Sequence, residues 1–108
     1  MNYTIQIKPL SINEAFKGRR FRSGKYDVFI MRVLKMLPDK VIIPDEKNIK
    51  LALEFGFSSS RSDIDNGIKT FVDCLVKKYG VDDRYIYELH VFKKVVEKGE
   101  EFIKFKIY

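Results

Sequence analysis

Between Ile49 and Phe57 every odd position is apolar (Ile49, Leu51, Leu53, Phe55, Phe57), while the even positions are polar or small. Side chains alternate across a strand, so this pattern predicts a long strand with one greasy face and one wetter face. Such a strand is stable only inside a sheet whose apolar side is covered. The rest of the chain must therefore supply neighbouring strands and a covering layer.

Two segments have the spacing of covering helices. After Lys25, the residues Phe29, Ile30, Val33, Leu34 and Leu37 recur at helical intervals until Pro38. From about Asn66 to Tyr79, Ile68, Phe71, Val72, Leu75 and Val76 form a second stripe, with Gly80 as a C-terminal stop and Asp65 suited to be the N-cap. Alternation over Tyr3 to Ile7 predicts an opening strand stopped by Pro9. Val41 to Ile43 fits either a short strand or an apolar connection. At the C-terminal end, Tyr85 to Val96 is rich in β-branched and aromatic residues, and Ile103, Phe105 and Ile107 alternate with lysines. Lys98-Gly99-Glu100 between them predicts a hairpin. The expected fold is α+β: one domain over residues 1–108, a mixed β-sheet with two helices on one face, in the order β-α-β-α-β-β. No internal repeat or low-complexity stretch interrupts it.

The 108 residues, 45% of them hydrophobic, suffice for a core without staples, since a chain of this size buries roughly two-thirds of its unfolded surface. The single cysteine, Cys74, excludes an internal disulfide scaffold and reads as a small buried residue. No apolar run approaches the roughly 20 residues of a membrane span, and residues 1–10 lack the features of a signal peptide. A soluble, cytoplasmic protein without membrane contact is expected.

Charge is unevenly placed. The formal net charge is +6. Lys17, Arg19, Arg20, Arg22, Lys25, Arg32 and Lys35 face a single acid, Asp27, so residues 17–35 alone carry an excess equal to that of the whole chain. Residues 10–24 have no sustained period and read as a basic loop suited to tracking phosphates. Phe21 and Tyr26 stand among these cations, where an aromatic either packs or stacks on unpaired bases.

The acids cluster elsewhere. Asp63 and Asp65 are two apart at the strand-to-helix junction, and in extended backbone such side chains point the same way. Asp82 and Asp83 follow the second helix, and Lys69 lies four residues after Asp65. Convergent carboxylates suit Mg²⁺ or Mn²⁺. Helix capping and solvated turns account for the same acids equally simply, because carboxylates are favoured near helix N-termini. His90, the only histidine, reads as an ordinary strand residue.

The run Ser62-Asp63-Ile64-Asp65-Asn66-Gly67-Ile68-Lys69, followed by Asp73, Leu75, Gly80 and Asp82-Asp83, resembles the D-x-D-N-x-x-K, D-x-L and D-D signature of the RusA family of Holliday junction resolvases. Pro9, Ser11 and Asn13 are similar to its proline-plus-S-x-N opening, with Leu10 where the family more often has a second proline. Gly18-Arg19-Arg20-Phe21-Arg22-Ser23 is similar to its G-R-x-aromatic-x-S segment, and Lys93 falls ten residues after Asp83, as a lysine does in the family. The resemblance implies a Mg²⁺-dependent homodimer, with Mn²⁺ a possible substitute, that makes paired nicks in four-way junction DNA during recombination and repair. It implies Asp63, Asp65 and Asp83 as metal-binding catalytic residues and Lys69 as the catalytic lysine, with Asp82 the less certain member of its pair. Asn66 and Asp73 take supporting roles. Lys17, Arg19, Arg20, Arg22, Lys25 and Lys93 are the expected DNA contacts. A noncatalytic nucleic-acid-binding module and a metal-dependent RNase are the alternatives.

Overall fold

In the computed structural model, residues 2–11, 16–17, 21–22 and 24–108 are described. The strand with the strict alternation, β4 (Ile49–Phe57), is central, and its odd side chains are buried. Lys50, Ala52 and Glu54 between them are only half-buried. The other strands are β1 (Tyr3–Ile5), a small separate pair β2 (Phe16–Lys17) and β3 (Phe21–Arg22), then β5 (Ile86–Val95) and β6 (Phe102–Ile107). Helix α1 spans Gly24–Met36 and helix α2 spans Ile68–Tyr79. The buried stripe of α1 (Tyr26, Phe29, Ile30, Val33) and that of α2 (Phe71, Val72, Cys74, Leu75) join the odd residues of β4 in one core. The mixed sheet with two helices is the expected architecture.

Three local expectations change. The closing hairpin does not form: the sheet order is β1-β6-β4-β5, so β6 pairs antiparallel with both β1 and β4, and β5 runs parallel to β4 as the outer strand. The turn is present, with Gly99 at a φ of 96°. A turn reverses the chain without choosing its partner, and burial makes that choice. Ile103, Phe105 and Ile107 are buried, whereas most of β5 is exposed, so the greasier strand takes the interior place. Residues 10–24, expected to be a loop, contain the β2–β3 pair, whose two-residue strands are too short to show a period. Val41 to Ile43 form an irregular connection.

The third change concerns the entry to α2. The helix begins at Ile68, capped by Gly67 with no side-chain hydrogen bond, so Asp65 is not an N-cap. Its backbone carbonyl instead accepts from Ile68 N at 3.3 Å within a turn. A Cβ on Gly67 would meet the Phe55 ring at 3.0 Å and Pro9 at 3.3 Å, so a larger residue would have to push the ring aside by a few tenths of an ångström, and glycine lets the helix start sit close against β4. At the other end Gly80 supplies a left-handed cap at φ 69°.

Buried hydrogen bonds lock these parts together. The Thr70 hydroxyl, fully buried, donates to the Leu10 carbonyl at 2.6 Å, tying the segment after β1 to α2. Tyr79 donates to the Pro38 carbonyl at 2.6 Å and Lys78 to the Leu34 carbonyl at 3.1 Å, both fastening α2 to the end of α1. Thr70→Val keeps the volume and orphans the Leu10 carbonyl. The expected loss is about 1–3 kcal/mol, read as a lower denaturant midpoint at unchanged slope; an unchanged midpoint would show that Leu10 finds another donor.

Candidate active site

The parallel β4–β5 pairing requires a crossover, and α2 is that crossover. The first two turns of α2 and the start of β5 border one cleft of about 600 Å³, lined by Asp65, Ile68, Lys69, Val72, Asp83, Ile86 and Leu89. Three of the four residues singled out for chemistry thus meet: Asp65 from the turn before α2, Lys69 from its first turn, and Asp83 from the 3₁₀ turn Asp83–Tyr85 ahead of β5. All three are exposed, and the cleft floor is apolar.

Asp63 is exposed and is not among the lining residues. Residues 64–67 are turns, with Asn66 N donating to the Asp63 carbonyl at 3.1 Å, so the extended backbone that would aim Asp63 and Asp65 together is absent. Among the described residues, no three His, Cys, Asp or Glu side chains stand close enough to hold one ion between them.

The structure distinguishes Asp82 from Asp83. Asp82 caps the 3₁₀ turn by accepting from Arg84 N at 3.0 Å, and its other oxygen takes Arg84 Nε at 2.9 Å and Nη2 at 2.7 Å. Those guanidinium and backbone bonds hold its carboxyl below the usual range. Asp82 is thus committed to its own turn, and Asp83 is the member of the pair that lines the cleft. Sequence reasoning missed Arg84; the D-x-R spacing was the available signal.

Lys69 does not point alone into the cleft. Its ammonium lies 3.0 Å from Asp73 Oδ1, an i,i+4 pair on the exposed side of α2. Asp73 Oδ2 accepts from the Tyr26 hydroxyl of α1 at 3.1 Å. Tyr26, only 6% exposed, is therefore a packing residue with a polar tip and offers no base-stacking surface.

Of the expected DNA contacts, Lys17 and Arg22 lie on β2 and β3, while Arg19 and Arg20 lie outside the described residues. Lys25, at the start of α1, lines a groove of about 470 Å³ together with Lys8 and Arg32. Lys8 was not anticipated, being a single cation before Pro9 with no pattern around it. Lys93, on the side of β5 that faces α2, donates to the Ser60 carbonyl at 3.0 Å. It braces the loop that leads to Asp63. His90 is an exposed strand residue 3.5 Å from Glu88.

A carboxylate-and-lysine cleft on the same molecule as a cationic groove is the equipment of a protein that processes nucleic acid. Residues 2–106 match the family model of the endodeoxyribonuclease RusA, and the chain belongs to that family. It is a DNA endonuclease by class. No curated protein sequence matches the chain. No described helix is long and apolar enough to cross a membrane.

Cys74 lies outside the chemistry. It is fully buried, its Sγ sits 3.3 Å from the Thr70 carbonyl, and burial pushes the thiol up to about 12. The thiolate is the reactive form, so a thiol reagent at mildly alkaline pH should modify Cys74 only as fast as the protein unfolds. Labelling that outpaced unfolding would overturn this placement.

Proposed function

We propose that the protein is a Mg²⁺-dependent endonuclease, with Mn²⁺ able to substitute, that resolves four-way DNA junctions by paired nicks as a homodimer in recombination and repair. The observation that carries this reading is the meeting of Asp65, Lys69 and Asp83 in one cleft of a chain of this family. A cytoplasmic, single-domain protein acting without a membrane completes it.

The donor set fits the ion. Mg²⁺ dehydrates reluctantly and is commonly held by one or two carboxylates, waters and substrate phosphate. Asp65 and Asp83 offer hard oxygens beside open solvent, and Asp63, the third ligand proposed, stands outside the cleft and would have to turn toward it to bind. When bound, the metal supplies an acidified attacking water and neutralises charge on the phosphate. The chain's own residues do the rest. Lys69 meets the non-bridging phosphate oxygens as negative charge grows there. The apolar floor of Ile68, Val72, Ile86 and Leu89 lowers the local dielectric and strengthens that attraction. Lys17, Arg19, Arg20, Arg22 and Lys25 grip the DNA backbone, and the groove of Lys8, Lys25 and Arg32 supports this, since such contacts give affinity without reading bases. Lys93 acts near the nicked strand.

Nicking of labelled four-way junction, duplex and single-stranded RNA with Mg²⁺ or EDTA tests the reading. Junction nicking with Mg²⁺ alone is expected. RNA cleavage would identify a ribonuclease, and binding without cleavage a noncatalytic module. Asp65→Asn and Asp83→Asn should abolish nicking while leaving junction affinity equal or tighter, because each removes a hard ligand and a charge that repels the backbone. Asp82→Asn should retain most activity. Equal loss in all three would contradict the division of labour between Asp82 and Asp83.

Paired nicks require paired sites, and a two-fold dimer supplies them. The outer strand β5 supports such pairing: it is ten residues long, with Tyr87, Leu89, Phe92 and Val95 exposed on an edge that no described strand covers. Antiparallel pairing about Val91 would set Glu88 opposite Lys94 of the partner subunit, and Tyr87 opposite the partner's Val95. Sedimentation at micromolar concentration should give about 25 kDa, twice the 12.8 kDa chain. Val91→Pro, which removes an edge donor, should shift the protein toward monomer; a variant that stayed fully dimeric would move the interface elsewhere.

A further inference from the structure

Lys69 is the most mobile type of side chain in the cleft, and its charge is useful only if it stays near the reacting phosphate. Its side chain is 59% exposed and pairs with Asp73, whose side chain is 18% exposed. A carboxylate that well covered needs donors for both oxygens. One is Lys69 on Oδ1 and the other is the Tyr26 hydroxyl on Oδ2, from a residue 47 positions away on the other helix. Tyr26 itself is held by burial in the core.

We propose that Tyr26 is a positioning residue for Lys69, acting through Asp73: its hydroxyl fixes the plane of the Asp73 carboxylate, and the second carboxylate oxygen fixes the ammonium at the rim of the cleft. The inference rests on the reading of Lys69 as the phosphate-facing cation. The order of the chain is α1 backbone, Tyr26 hydroxyl, Asp73 carboxylate, Lys69 ammonium, cleft. Each link is a hydrogen bond of 3.0 or 3.1 Å. Without the Tyr26 hydroxyl, Asp73 keeps its charge and loses its orientation, and the lysine regains rotamers that must be frozen again in every turnover. Tyr26 stands in the first turn of α1, next to Lys25. The helix that carries Lys25 and Arg32, cations of the proposed DNA grip, thus also sets the position of the cation in the cleft.

The test uses Tyr26→Phe and Asp73→Asn in the full-length protein, with two independent readouts. The first is the ammonium signal of Lys69 in a proton–nitrogen NMR spectrum of the free protein, assigned by its disappearance in Lys69→Arg. Tyr26→Phe should shift or broaden this signal while other lysine signals stay in place. The second is single-turnover junction nicking at saturating protein with Mg²⁺. Tyr26→Phe should slow it about 3- to 10-fold, the cost of immobilising one long side chain, with junction affinity unchanged. Asp73→Asn should slow it at least as much, and adding Tyr26→Phe to Asp73→Asn should slow it no further, because the hydroxyl acts only through the carboxylate. An unmoved Lys69 signal in Tyr26→Phe overturns the proposal, as does full additivity of the two substitutions. A wild-type protein that nicks no junction would sink the functional reading instead, and the Lys69 signal would still decide the linkage.

Discussion

Burial of one face of β4 is the constraint on which the remaining structure depends. Its apolar side chains, from Leu51 to Phe55, are almost wholly removed from water, and both helices lie over them. Covering that face from a chain this short leaves α2 as the crossover between β4 and a parallel neighbour. A parallel pair cannot be closed by a tight turn, so the chain must leave the C-terminal end of β4, run back along a helix and re-enter at the start of β5. Both junctions of the crossover are where acids are found: Asp63 and Asp65 at the first, Asp82 and Asp83 at the second. The cleft lies between α2 and the outer strand, and its two carboxylates, Asp65 and Asp83, stand on the turns that lead into α2 and into β5.

The outer strand β5 also borders the site. Its Ile86 and Leu89 form one wall of the cleft, and Asp65, Lys69 and Asp83 stand exposed beside them. Electrostatics divides the molecule along the same lines. Asp82 is bound by the Arg84 guanidinium, and Asp73 by the Lys69 ammonium and the Tyr26 hydroxyl, while Asp65 and Asp83 line the cleft, Asp83 within the field of Arg84. Two exposed carboxylates in a cleft on a protein of net charge +6 make a local negative site within a field that favours polyanions.

Most of this was legible in the chain, for identifiable reasons. Period-two alternation located β4 to the residue, and the 3.6-residue stripes located both helices, because each of these elements buries one face only. The place of β6 was not legible. The Gly99 turn is a local signal, while the choice between β5 and β4 as neighbour is a competition in buried area that no window of sequence contains. The start of α2 was misplaced by two residues because Asp65 has the chemistry of a cap, whereas the contact that sets the start is the Phe55 ring against Gly67, a packing fact at a distance of twelve residues. The role of Asp82 against Asp83 was undecidable from two identical neighbours, and a guanidinium two residues on separates them.

Lys93, proposed above as a DNA contact, has a structural partner of its own. On the β5 face toward α2, opposite Phe55 of β4, its ammonium reaches the Ser60 carbonyl and spans from the outer strand to the loop that carries Asp63. The acceptor is a neutral backbone carbonyl, so this charge-assisted bond joins strand to loop without cancelling the lysine's charge. The bond ties the Ser58 to Ser60 segment to β5, and with that tie in place Asp63 stands outside the cleft that Asp65 and Asp83 line. A lysine on the outer strand thus bears on the course of the loop before α2, a contact across 33 residues that the local spacing of Asp63 and Asp65 does not contain.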